Sequence, residues 1–226
     1  ATDNTLLGYD AGTAITTGDF NTALGSYAGD ALTTGSYNVA LGHAALSAQT
    51  TANYNTGIGN QALAANTTGA ANVAVGSGAL DANTTASYNV AIGYNALTTN
   101  STGSENTAVG NEALKVSTDS YSSAFGAYAL YTNSTGTRNT ALGRTALHLN
   151  TTGGYNTAVG MNALYTNSTA SNNTAVGFEA LKLNTTGTRN SALGQNALEA
   201  NTTGNYKVAV GSLSLTDNTT GSLNTA

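Results

Sequence analysis

The chain repeats itself every 17 residues, and no other property limits its fold as much. Asn21-Thr-Ala-Leu-Gly25 returns as Asn38-Val-Ala-Leu-Gly42 and Asn55-Thr-Gly-Ile-Gly59, then from Asn72, Asn89 and Asn106. After one short unit it resumes at Asn139, Asn156, Asn173 and Asn190. A short period sustained along a chain means a solenoid or array, in which each unit buries its apolar side only against its neighbours.

Numbering the units from the Asn shows what each position requires. Position 4 is always apolar, from Leu7 through Phe125 to Val210, and position 5 is always Gly. Position 8 is Ala except for Ser214, position 9 is Leu from Leu46 onward, and positions 12–15 read Asn-Thr-Thr-Gly or close to it. Alternation predicts a strand over positions 1–4, with Thr or Val at 2 and the aliphatic residue at 4 on one face. A second short strand is expected from position 8 to position 11 or 13. Gly at 5 suits a bend with positive φ, and Gly or Ala at 15 marks the return. A helix is excluded, because two breakers and several Thr and Asn recur in every unit.

The expected fold is therefore all-β: a parallel β-solenoid of about thirteen coils, forming a single domain over residues 1–226. At ~4.8 Å per coil it would be ~60 Å long. Positions 4 and 9 are expected to form its aliphatic core, with Ala at 8 in the narrow part. Asn at 1 and 12 would stack into amide ladders. Ala at 3 is expected outside, where it would let a neighbouring rod approach.

Three irregularities stand out. The unit at 106–121 is one residue short and lacks the Asn-Thr-Thr-Gly corner, reading Lys115-Val116-Ser117-Thr118-Asp119. A dent or twist is expected there. The first two units carry Gly12 and Gly29 where later ones have Leu, and Ile15 and Leu32 where later ones have Asn. The chain starts at Ala1 and stops mid-motif at Asn224-Thr225-Ala226, so it is expected to be a section of something longer.

Composition narrows the function classes. Only 8% of residues are charged, and six Lys and Arg supply no basic stripe for nucleic acid. There is no Cys, and no apolar run long enough for membrane insertion. No nucleophile elbow, P-loop, zinc motif or calcium nonapeptide occurs, so neither an enzyme nor a cofactor is expected. Glu199 and Asp217, in adjacent units, are the one candidate carboxylate pair, and a chance surface pair is the expected reading. His43 and His148 occupy variable positions and are expected to be solvated.

Two sets of residues could carry a function. Asn-x-Ser/Thr sequons occur at Asn66, Asn83, Asn100, Asn133, Asn150, Asn167, Asn172, Asn184, Asn201 and Asn218. They are candidate glycosylation sites, set against a structural Asn ladder whose next Thr completes the sequon. Aromatic residues recur at position 17: Phe20, Tyr37, Tyr54, Tyr88, Tyr121, Tyr155 and Tyr206. They form either a sugar-binding platform or a packing ridge. Ala71, Glu105, Arg138, Asn172 and Arg189 are expected to interrupt it.

Asn-Thr-Ala-Val-Gly-x-x-Ala-Leu resembles the Asn-Ser-Val-Ala-Ile-Gly repeat of trimeric autotransporter adhesin heads. The longer unit, as in Asn139-Thr-Ala-Leu-Gly-Arg-Thr-Ala-Leu-His-Leu-Asn-Thr-Thr-Gly153, is similar to repeats of bacterial and phage-type tail-fibre-like proteins. The resemblance covers nearly the whole chain. It implies a left-handed β-roll, association with itself as a trimer or end to end, and an extracellular, cell-surface or virion-surface fibre or adhesin stalk. Ice binding through the Thr ladders, or binding of surface glycans through the Tyr ladder, is the alternative function.

Overall fold

A computed structural model describes residues 1–226. Thirteen three-residue strands occur, one per coil and all at positions 2–4. The chain divides into two compact units, Ala1–Glu112 and Ala113–Ala226, and the boundary falls inside the short coil. In the first unit, β1 (Thr5–Leu7), β2 (Thr22–Leu24), β3 (Val39–Leu41), β4 (Thr56–Ile58), β5 (Val73–Val75), β6 (Val90–Ile92) and β7 (Thr107–Val109) pair in chain order, in parallel. In the second, β8 (Ser123–Phe125), β9 (Thr140–Leu142), β10 (Thr157–Val159), β11 (Thr174–Val176), β12 (Ser191–Leu193) and β13 (Val208–Val210) do the same. Every residue faces its equivalent one repeat on, as Thr157 faces Thr174. Both units are β-solenoids.

Beyond the strand the coil closes by turns, and the expected second strand does not form. The amide of position 8 bonds the carbonyl of position 5, as Ala62 to Gly59 at 3.3 Å, and that of position 12 bonds position 9, as Asn66 to Leu63 at 3.2 Å. These bends need left-handed residues at positions 7 and 9, where Gln61 has φ 56° and Leu63 φ 55°. A large side chain in that region costs about 1–2 kcal/mol, which burial of the whole leucine offsets. Coil-to-coil bonding persists through the turns all the same: Leu63 N–H donates to Ala79 O at 3.0 Å and Ala65 N–H to Asp81 O at 2.9 Å. Gly at 5 is required twice over. Gly25 has φ 138°, and a Cβ there would sit 2.5 Å from the Gly42 carbonyl oxygen.

The faces of the strand are opposite to the expectation. Ala at 3 is buried, as at Ala74, Ala141 and Ala158, whereas position 4 points outward, with Leu142 49% exposed. The core consists of Ala at 3 and 8, Leu at 9, and the Asn of positions 1 and 12. A 17-residue loop encloses too small a cross-section for more than one large aliphatic side chain per coil. Small Ala and flat carboxamides fill the remainder.

The first two coils reach the same filling by exchange. Gly29 takes the position of Leu, and buried Leu32 takes that of Asn. Gln49 ends this variant: its Oε1 accepts from Asn55 Nδ2 at 2.9 Å and from Asn66 Nδ2 at 3.1 Å, starting the amide ladder.

Candidate functional site

The buried polar groups form two ladders. At position 1, the backbone N–H donates to the carboxamide oxygen one coil back in most coils, and at Asn139 to the Ser122 hydroxyl instead. Asn72 to Asn55, Asn89 to Asn72 and Asn156 to Asn139 are all 2.9 Å. The same carboxamide donates to the carbonyl at position 15 of its own coil, as Asn156 Nδ2 to Ala170 O at 2.8 Å. At position 12 the carboxamides bond one another: Asn167 to Asn150 and Asn184 to Asn167 at 2.9 Å, and Asn201 to Asn184 at 2.8 Å. One rung is missing, at Asn83, whose Oδ1 is buried without a partner.

These ladders place the sequons. Asn66, Asn83, Asn100, Asn133, Asn150, Asn167, Asn184 and Asn201 are fully buried, with Nδ2 engaged. Asn218 is half-buried and donates to Asn224. Asn172 alone is exposed, at the left-handed position 17.

The second unit breaks the ladders twice. In the short coil, Ser117 and Ser122 stand where position 12 and the following position 1 would supply Asn. Asp119 lies between them, buried, accepting from Ser117 Oγ and from Ser122 Oγ at 2.6 Å, with Asn133 as a further donor. Burial raises its carboxyl above the usual range, while the hydrogen bonds from Ser117, Ser122 and Asn133 pull the other way. In this coil one carboxyl and two hydroxyls take over from carboxamides.

The second break is Lys207, which stands at position 1 in place of Asn and is fully buried. Its N–H keeps the ladder, donating to Asn190 Oδ1 at 3.0 Å. Its Nζ crosses the core to Asn201 Oδ1 at 2.5 Å and Asn218 Oδ1 at 2.7 Å. Burial pushes its ammonium below the ordinary lysine range. A Cβ at Gly204 would collide with both the Gly221 carbonyl oxygen and the end of this side chain.

Outside, the position-17 residues form rows of exposed rings. Phe20 stacks on Tyr37 at 5.0 Å between centroids, and Tyr37 on Tyr54 at 5.2 Å. Rings stacked along the coil axis cover one another's faces and show edges and hydroxyls to solvent. In the second unit the arginines do not interrupt the row. Arg138 lies between Tyr121 and Tyr155, 5.1 and 5.4 Å from their centroids, and donates to Tyr155 Oη at 3.0 Å. Arg189 packs on Tyr206 at 5.3 Å.

A second row, at position 10, has no clear mark in the sequence. His148, expected to be solvated, is half-buried and stacked between Tyr131 and Tyr165, 5.2 Å from each, with Lys115 over Tyr131. Beyond Tyr165 lies an open cleft of about 280 Å³ lined by Arg144, Thr145, Asn162, Tyr165 and Lys182. One wall is a polar network: Thr145 donates to Asn162 at 2.6 Å and Asn162 to Glu179 at 3.1 Å, and Glu179 pairs with Lys182 at 2.8 Å. The Lys182 hydrogen bond is the main influence holding the Glu179 carboxyl below its usual range. Glu199, half of the candidate carboxylate pair, accepts from Asn196 at 2.6 Å. No group of three or more His, Cys, Asp or Glu is arranged to hold a metal, and no helix is long and apolar enough to cross a membrane.

The Thr ladders divide. Position-13 hydroxyls donate to the carbonyl of the next coil, as Thr67 to Thr84 O at 3.0 Å, while position-14 Thr such as Thr68 and Thr85 are exposed in a single row. No family model, curated protein or solved structure matches this chain.

Proposed function

We propose that the chain is a non-catalytic structural section of an extracellular fibre or adhesin stalk that associates with copies of itself. The observation that carries this reading is how the repeat is used. Its buried fixed positions, Asn at 1 and 12, Ala at 3 and 8 and Leu at 9, serve coil-to-coil packing and hydrogen bonding. The one fixed apolar position left outside is position 4. It lays an aliphatic row along the strands of each unit, including Leu24 in the first and Leu142 and Leu193 in the second. A strand face with a regular exposed aliphatic row suits another copy of the same face. The trimer implied by the sequence resemblance would use this row, not the buried Ala of position 3.

Native mass spectrometry of the chain, compared with the double variant Leu142→Asp/Val159→Asp, tests the proposal. The unaltered chain is expected to be oligomeric and the variant monomeric with unchanged circular dichroism. A chain that is monomeric without any substitution would sink the self-association reading. Ice recrystallisation and glycan-array assays on the same material are expected to be blank. Activity in either would favour an outward ladder of Thr or Tyr as the functional surface.

A further inference from the structure

The position-17 row holds a gap in the first unit that its counterpart in the second unit fills. Tyr54 and Tyr88 are two coils apart with Ala71 between them, so at ~4.8 Å per coil their side chains are rooted about 10 Å apart. In the second unit Tyr121 and Tyr155 have the same spacing, and the residue between them is Arg138, whose guanidinium lies 5.1 and 5.4 Å from the two ring centroids. The backbone at the two middle positions is alike, with φ 55° at Ala71 and 57° at Arg138. Without an occupant, Tyr54 and Tyr88 are 62% and 66% exposed, against 50% and 55% for Tyr121 and Tyr155. Glu105 stands in the same row one coil beyond Tyr88, adding negative potential on that side.

We infer that the Tyr54–Ala71–Tyr88 gap is a binding slot for the guanidinium of an arginine side chain carried by a second polypeptide. Two tyrosine faces attract a planar, weakly hydrated cation, and a guanidinium stacks between rings where a compact ammonium does not. The methyl group of Ala71 leaves the space that the Arg138 side chain occupies in the filled example. The slot is independent of the aliphatic row at position 4, so its test does not depend on whether the chain self-associates.

The experiment follows tyrosine ring resonances of the full chain by NMR, with N-acetyl-arginine N-methylamide as probe. Saturable shifts are expected for Tyr54 and Tyr88 but not for Tyr37 or Tyr155. The lysine analogue is expected to bind at least fivefold more weakly, and methylguanidinium no more strongly than the capped arginine. Ala71→Arg fills the slot from within and is expected to abolish the response. Tyr88→Ala should do the same, and it introduces a residue that position 17 already accepts at Ala71, which keeps the test sound if Ala71→Arg misfolds. No shift, equal shifts at Tyr37 and Tyr155, or a response that survives both variants would overturn the slot. Preference for methyl glucoside would reassign it to sugars, and preference for methylguanidinium would overturn the polypeptide as its source.

Discussion

Asp119 and Lys207 mark two places where the amide ladders are broken, and the repairs are of opposite kinds. Asp119 adds an acceptor and is met by donors, from Ser117, Ser122 and Asn133. Lys207 adds a donor and is met by acceptors, the oxygens of Asn201 and Asn218. Both side chains are buried, and neither is neutralised by an opposite charge in these contacts. What the core demands at these positions is therefore matched donors and acceptors, and not asparagine as such. An unmatched buried polar atom costs about 1–3 kcal/mol, enough to select any side chain that completes the pattern.

The largest effect is expected where the ladder is intact. Asn167→Ala removes bonds to Asn150 and Ala170 and leaves one of the two Asn184 amide hydrogens without its acceptor. It should lower stability by about 3–5 kcal/mol, a sum of orphaned partners and a small cavity. Amide hydrogen exchange should show the loss centred on the coils of Asn150, Asn167 and Asn184. Little change there would mean that the carboxamides are not what joins the coils.

Next, Asp119→Ala should cost about 2–3 kcal/mol by leaving the Ser117, Ser122 and Asn133 donors unmet. Asp119→Asn should cost less. The carboxyl is raised in the folded state, so the folded chain holds its proton more tightly than the unfolded chain. This contribution is full below the ordinary Asp pKa and is lost as pH rises through the raised value. Urea unfolding across the acid range should show stability falling with pH in that window, and Asp119→Asn should remove the slope.

Lys207 should respond in the opposite sense. Its ammonium is depressed in the folded state, so the unfolded chain binds the proton better. Protection of the coils around Asn201 and Asn218 should increase as pH rises from the depressed value toward the ordinary lysine range. Lys207→Met should abolish this and cost about 1–2 kcal/mol through the lost donor. A fall in protection with rising pH would show that the three oxygens stabilise the ammonium more than burial opposes it.

The smallest effect belongs to the surface. Arg138→Ala should lower stability by only about 0.5–1 kcal/mol, the range for exposed cation–π contacts, and should raise the solvent accessibility of the Tyr121 and Tyr155 rings.

The ladder positions were plain from periodicity, since Asn recurs at position 1 except at Ser122 and Lys207, and at position 12 from Asn66 onward except at Ser117. The faces were not. Hydrophobicity favours Leu142 over Ala141 as the buried residue, yet the small residue lies inside because the coil is narrow. The clue was constancy of size: position 3 is nearly always Ala, whereas position 4 ranges from Val to Phe. Lys207 offered a similar clue, as a charged residue at a position otherwise held by Asn or Ser. The His148 stack was illegible, because it joins variable positions of three successive coils, and a ring's partner depends on rotamers as well as register.

The sequence by itself determined the coil, its length, the parallel in-register stacking and the place of the irregular unit. These follow from a period of like residues that must meet like residues. The tertiary structure decided which side of each strand is the inside, where turns replace a second strand, and how Asp119 and Lys207 are matched. Those outcomes depend on the cross-section left after the chain closes on itself, which is a property of the folded loop and not of any residue along it.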